Sequence, residues 1–451
     1  MGEVDKRTQL LRRLLLPTLV TAFGLGGCGS SSLPSLPKIS ELNPFAEKQQ
    51  PLPGKRIPVL QSRDNVGAHL AEADKPIVLP PPRHNENWTQ PGGEPSNSPG
   101  HLALSGSLKR AWSANAGTGS SSKGKLTASP IVYGGRVFTL DAEARVTAFS
   151  ASGGSAIWRV SLVPESERGD GGYGGGLAID SGRLYVATGF GTVVALDPGT
   201  GKQLWTKNIG VPVRAAPTAV NDKVFVVTTD AHVFALAGFD GSELWTQRGI
   251  PERTSIISNP SPAVDSGVVV VPYTSGELSA FKADDGSLLW TESLARTGAL
   301  SPMASLSDAA RPAIAGGVVY AVGHGGRLIA TDLKSGERLW SLNVASTQAP
   351  VIAGDTVFVV DTTGQLLAVT RRDGKIIWSV KLPGTSTWSG PTLAGNHLWL
   401  ASNHGQLVGV DPVTGRVISQ LGLDDPVYIA PVVADGRMYV LTDKARLIAF
   451  N

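Results

Sequence analysis

From about residue 108 onward, a glycine followed four residues later by a tryptophan recurs roughly every 43 residues, and no other feature restricts the fold as much. The pairs are Gly154/Trp158, Gly201/Trp205, Gly241/Trp245, Gly286/Trp290, Gly336/Trp340 and Gly374/Trp378. Gly415 continues the series, with Ser419 in the tryptophan slot. Ahead of each glycine lies an alternating apolar run such as Thr192–Leu196 or Gln365–Val369, the mark of a strand with two unlike faces. Further upstream a third element opens on Pro130, Pro217, Pro262, Pro312, Pro350, Pro391 and Pro431, with Leu177 in the remaining slot.

Each unit therefore holds four short strands, A to D. Glycine at the C–D turn supplies the positive φ of a tight hairpin. The strand D tryptophan offers a broad plane to wedge between neighbouring sheets. A proline heading strand A is tolerated because an opening residue need not donate to the ladder. The predicted fold is all-β, an eight-bladed β-propeller of four-stranded antiparallel blades over residues 108–451. Composition agrees: 54 glycines and 17% charged residues suit short strands and turns. The last A–B–C triplet ends at Phe450 without a strand D, while Trp112 has a strand D sequence and nothing before it. The strand around Trp112 is expected to join the C-terminal strands and close the ring. Leu108 stands at its turn-glycine position because that strand is entered from a tether, not a hairpin.

Residues 1–27 read as a signal peptide. Lys6, Arg7, Arg12 and Arg13 precede an uncharged stretch, Leu14 to Gly27, too short to span a bilayer. The sole cysteine, Cys28, follows at once. The string Leu25-Gly26-Gly27-Cys28 resembles the lipobox of bacterial lipoproteins, which implies acylation of Cys28, and several chains on one residue satisfy the requirement for stable anchoring. Gly29 at the next position implies sorting to the outer membrane, facing the periplasm. Residues 28–107 carry 13 of the 31 prolines and read as a lipidated Pro-rich tether, with Trp88 and Pro91-Gly92-Gly93 as candidates to pack back onto the body.

The Gly-x-x-x-Trp turns resemble the PQQ-type propeller repeat. Together with the lipobox, they make the chain similar to the BamB family, lipoproteins of the outer-membrane β-barrel assembly machinery. That resemblance implies a non-catalytic scaffold without a cofactor. Its implied partners are the POTRA domains of the barrel subunit BamA, other subunits of the machinery and nascent outer-membrane proteins. Recognition would sit in D-to-A loops. Val211, Val213 and Arg214, three residues before Pro217, match an apolar-x-apolar-Arg motif of one family loop. Asp308, before Pro312, matches one acidic residue of a second loop, and Ala310 stands where the family has another.

Two other readings compete with this one: a PQQ-dependent dehydrogenase and a generic periplasmic binding propeller. The first needs a vicinal disulfide and calcium-ligating carboxylates; no cysteine follows Cys28, and Glu165, Asp170 and Asp308 show no paired spacing. His232, His324 and His404 occupy different columns of the repeat, so no metal ring is expected. Gly171–Gly176 lacks the Lys-Ser/Thr of a phosphate loop. The net charge of +3 gives no basis for nucleic-acid binding.

Overall fold

The computed structural model describes residues 76–105, 107–213, 215–251, 260–294 and 309–451, with Asp170 as backbone only. All of them fall in one compact unit, Ser62–Asn451. Blade one consists of strands Ile131–Tyr133, Arg136–Leu140, Arg145–Ser150 and Ala156–Ser161, paired antiparallel in that order. The same A–B–C–D order repeats at 175–208, 218–248, 263–293, 313–342, 351–381 and 388–422. Blade eight takes A to C from Val432–Ala434, Arg437–Leu441 and Arg446–Phe450, and its strand D is Arg110–Asn115. The expected closure is observed: Trp112 pairs with Ala449, and Lys109 and Asn451 exchange two backbone hydrogen bonds of 2.9 Å. Neighbouring strands A touch one another around the axis. Strands D lie outermost, with alternate residues exposed.

What binds blade to blade is the tryptophan. Trp112, Trp158, Trp205, Trp245, Trp290, Trp340 and Trp378 each lay the indole against the turn glycine of the following blade. A methyl group on Gly154, Gly201, Gly241, Gly286, Gly336, Gly374 or Gly415 would come within 2.5–3.1 Å of the ring. Each indole Nε1 donates to the carbonyl three residues before that glycine, at 2.9–3.1 Å. The wedge thus combines apolar burial with a fixed hydrogen bond, and no side chain larger than hydrogen fits the seat.

Within a blade, each indole belongs to a cross-strand row. In blade one the row is Phe138–Ala148–Trp158, and in blade two Tyr185–Ala195–Trp205. The small central alanine lets the two flanking rings meet, with centroids 5.8 and 5.9 Å apart. Blade seven keeps the strand B ring and lacks the strand D one: its row is Trp399–Gly409–Ser419. The physical reason lies in blade eight, whose strands C and D are not joined by a hairpin. An indole at Ser419 would find no turn to rest on. The strand B ring is here an indole: Trp399 is wholly buried, its Nε1 donating to Ala394 O, with Gly409 making room across the ladder.

A proline immediately precedes strand A in blades one, three, four, five, six and eight. Blade seven differs, for Pro391 falls inside Trp388–Ala394, where the pairing register shifts between Ser389 and Thr392. A residue without an N–H fits such a break in the ladder. A larger departure concerns the expected tether at 28–107. Residues 76–105 belong to the folded body, because Trp88 and Leu102 are core residues bridged to Val132 and Ala394.

In the connection from blade seven to blade eight lies an ion cluster. Asp425, 7% exposed, accepts from Arg446 and Lys444. Burial alone would raise its pKa, but hydrogen bonds and charge from Lys444 and Arg446 outweigh burial and hold it below the usual carboxylate range.

Two outcomes are expected. Gly201 (φ +74°) and Gly182 (φ +71°) share a left-handed conformation, yet only Gly201 faces an indole. Gly201→Ala should therefore cost about 1–3 kcal/mol more than Gly182→Ala in denaturant unfolding; equal costs would mean that the seat is loose. A depressed folded pKa stabilises above the unfolded value of about 3.9 and is lost as pH falls through the folded value. Asp425→Asn should accordingly destabilise by roughly 1.5–3 kcal/mol at pH 7, and the gap to wild type should narrow as pH falls below the ordinary carboxylate range.

Candidate functional site

The innermost strand of each blade turns an unpaired edge toward the axis, and such an edge needs partners. Residues 76–105 supply them. Trp88 exchanges backbone bonds with Val132 of blade one, and Ile179 N of blade two donates to Thr89 O. Gln90 acts as a short length of backbone: its Nε2 donates to Ala219 O in blade three and its Oε1 accepts from Ala219 N. Val264 N and Ile314 N, in blades four and five, donate to Pro95 O and Ser96 O. Asn97 Nδ2 spans both blades, donating to Pro262 O at 3.1 Å and Pro312 O at 3.0 Å. Ile77 joins the apolar cluster of blade six, Leu102 N donates to Leu393 O of blade seven, and Asn85 Nδ2 to Val433 O of blade eight. One segment thus reaches the inner strand of every blade.

The segment also floors a cavity of about 450 Å³ on the axis, with Trp88, Gly92, Asn97 and Pro99 in the floor. Residues heading several strands A form its walls, largely prolines and aliphatic side chains. Three charged groups are among its described lining residues: Lys125, Arg311 and Asp443. Asp443 accepts a hydrogen bond from Ser120 Oγ. Arg311, directly before strand A of blade five, hydrogen-bonds to no described residue, and its Nε is sealed from solvent without a partner. Desolvation pulls its pKa down from 12.5 to about 10. The lining does not fit the calcium site of a quinoprotein. Calcium takes six to eight oxygen ligands, several of them carboxylates, and Asp443 is the one carboxylate among the described lining residues. Among the described residues no three His, Cys, Asp or Glu side chains cluster.

The residues expected to bind a partner fare unevenly. Cys28, Arg214 and Asp308 lie outside the described residues. Val211 and Val213 flank exposed Pro212 in the connection between blades two and three. That connection is tied down by Val213 N to Thr188 O at 3.3 Å and Thr229 N to Pro212 O at 3.0 Å. Val211 is half-buried and borders this exposed surface. Val213 corrects the expectation: it is 0% exposed and packs with Val193, Val224 and Val226, so it anchors the loop instead of meeting a partner. The pair lies in a loop, and only in a strand are residues i and i+2 held to one face, so Val211 and Val213 part company. Sequence reading missed Asn85, Gln90, Asn97 and Arg311. Three of them lie among other polar residues in a proline-rich stretch, and the one available signal was the set of side-chain amides around Trp88.

In fold, the chain is an eight-bladed β-propeller, ringed by indole wedges and stitched at the axis by its own N-terminal segment. Residues 142–380 and 368–451 match the family described as outer membrane protein assembly factor BamB. The chain belongs to the BamB family. Outer membrane protein assembly factor BamB of Moranella endobia is 27% identical over 222 residues, covering 48% of this chain and 57% of that one. The chain thus spans little more than half the length of the curated relatives it matches. Among solved structures, BamB from Moraxella catarrhalis aligns with a TM-score of 0.64 at 19% identity, over 76% of this chain and 100% of that one. The quinohemoprotein alcohol dehydrogenase of Comamonas testosteroni aligns equally well, with a TM-score of 0.65 at 15% identity over 81% and 80%. Fold likeness therefore does not choose between scaffold and enzyme.

If the N-terminal segment is integral to the ring, Asn97→Ala should destabilise the whole protein by about 1–3 kcal/mol, because two buried carbonyls lose their donor. Unchanged chemical denaturation would assign the segment a merely peripheral place.

Proposed function

We propose that the chain is a non-catalytic scaffold of the outer-membrane β-barrel assembly machinery, carried on the periplasmic side of the outer membrane by a lipid on Cys28. Its partner surface is the connection between blades two and three, with Val211 and Arg214 in contact and Val213 as internal anchor. Asp308 adds a counter-charge, and the partners are the POTRA domains of BamA. The observation that carries the reading is the family match, which runs unbroken through the ring from residue 142 to 451. A blade-borne loop suits the task, since recognition segments on a rigid scaffold lose little entropy on binding. Val211 gives apolar contact and Arg214 a multidentate donor.

The test is co-purification from detergent-solubilised membranes. Val211→Asp combined with Arg214→Glu should leave the melting temperature within a few degrees of wild type and lower recovery of the barrel subunit at least about tenfold. Val213→Asp should instead unfold the loop, because it buries an unpaired carboxylate. Full recovery with the double variant would remove the site assignment. Recovery of no assembly subunit by wild type would remove the function.

A further inference from the structure

We propose that the axial cavity is a binding site for a small organic anion, whose carboxylate pairs with the Arg311 guanidinium while its apolar body rests on the proline and aliphatic wall. Four observations carry this. First, Arg311 lines the cavity and is bonded to no described residue. Three other partly enclosed arginines of the ring have partners. Arg371 donates to Tyr320 Oη at 2.9 Å and Ala315 O at 2.7 Å, Arg183 pairs with Asp222, and Arg446 with Asp425.

Second, the charge of the cavity is unbalanced. Lys125, from the connection leading into blade one, lines it as well and forms no ion pair with a described residue. Asp443 is the lone carboxylate of the described lining and is already engaged by Ser120. Third, Pro350, Pro391, Val351, Ile429 and Leu126 give the wall an apolar character. That wall favours an organic body over a bare inorganic ion. Fourth, the volume of about 450 Å³ falls within the range of small-molecule sites.

A guanidinium presents a flat fork of donors that matches a carboxylate in bidentate fashion. In a partly desolvated position, with no counter-charge among the described residues, it costs the ring stability. An anion seated on Arg311 removes that cost and stabilises the protein by linkage. This site is separate from the loop between blades two and three, none of whose described residues lines the cavity. The two proposals therefore stand or fall apart.

The experiment uses the full chain with benzene-1,3,5-tricarboxylate, its neutral trimethyl ester and inorganic phosphate, read by calorimetric titration and thermal shift. Wild type should bind the tricarboxylate saturably at one site and melt higher in its presence. The ester and phosphate should bind at least about tenfold more weakly. Arg311→Met should lower affinity for the tricarboxylate at least about tenfold, while its ligand-free melting temperature equals or exceeds that of wild type. Arg311→Lys, which keeps the charge but not the fork, should fall between the two. No saturable binding by wild type, or equal binding by Arg311→Met, would overturn the proposal. So would a lower melting temperature of ligand-free Arg311→Met, which would make Arg311 a structural residue. Phosphate binding as tightly as the tricarboxylate would overturn the part assigned to the apolar wall.

Discussion

An indole pressed flat on a backbone turn, with its N–H fixed to a carbonyl of that turn, is the contact on which this ring depends. Blades are sheets with two apolar faces, and apolar faces alone do not define the angle or offset at which they stack. The wedge does. Trp158 can sit in one place over Gly201 because the ring needs a surface free of Cβ and the Nε1 needs Pro198 O. Repeated from blade to blade, a fixed offset accumulates into a closed circle. The same contact closes the circle, for Trp112, which arrives from the other end of the domain, rests on Gly154 and bonds Ala151 O.

This part of the fold was legible in the sequence because tryptophan is rare and the Gly–Trp pair is regularly spaced. Gly415 paired with Ser419, and Leu108 ahead of Trp112, read as irregularities yet mark where the ring is sewn together. The structure adds the reason for the serine: blade eight has no C–D hairpin to receive a ring. Strand B keeps its ring there, as Trp399, with Gly409 between it and Ser419.

The axis was far less legible. Periodicity reports elements that bury one face, whereas residues 76–105 pair with many strands through isolated bonds and have no period of their own. A proline-rich composition reads as a spacer. In this chain, however, the prolines leave few N–H groups to satisfy, and Asn85, Gln90 and Asn97 reach the inner strands with their side chains. Val213 taught the opposite lesson, since a motif that resembles a recognition loop also contains the residue that holds the loop in the core. Arg311 carries no motif at all. Its interest arises only when the cavity and the lack of a bonding partner are seen together.

The indole contacts close a single cooperative ring, with Arg110–Asn115 as its last strand. Native-state hydrogen exchange of the backbone amides in that strand is the decisive test. Amides of Arg110–Asn115 bonded to Arg446–Phe450 should exchange only through global unfolding, at the same free energy as the strands of blade one. Exchange of this strand at a much lower free energy, as a fraying chain end would show, would contradict closure by Trp112 and with it the ring.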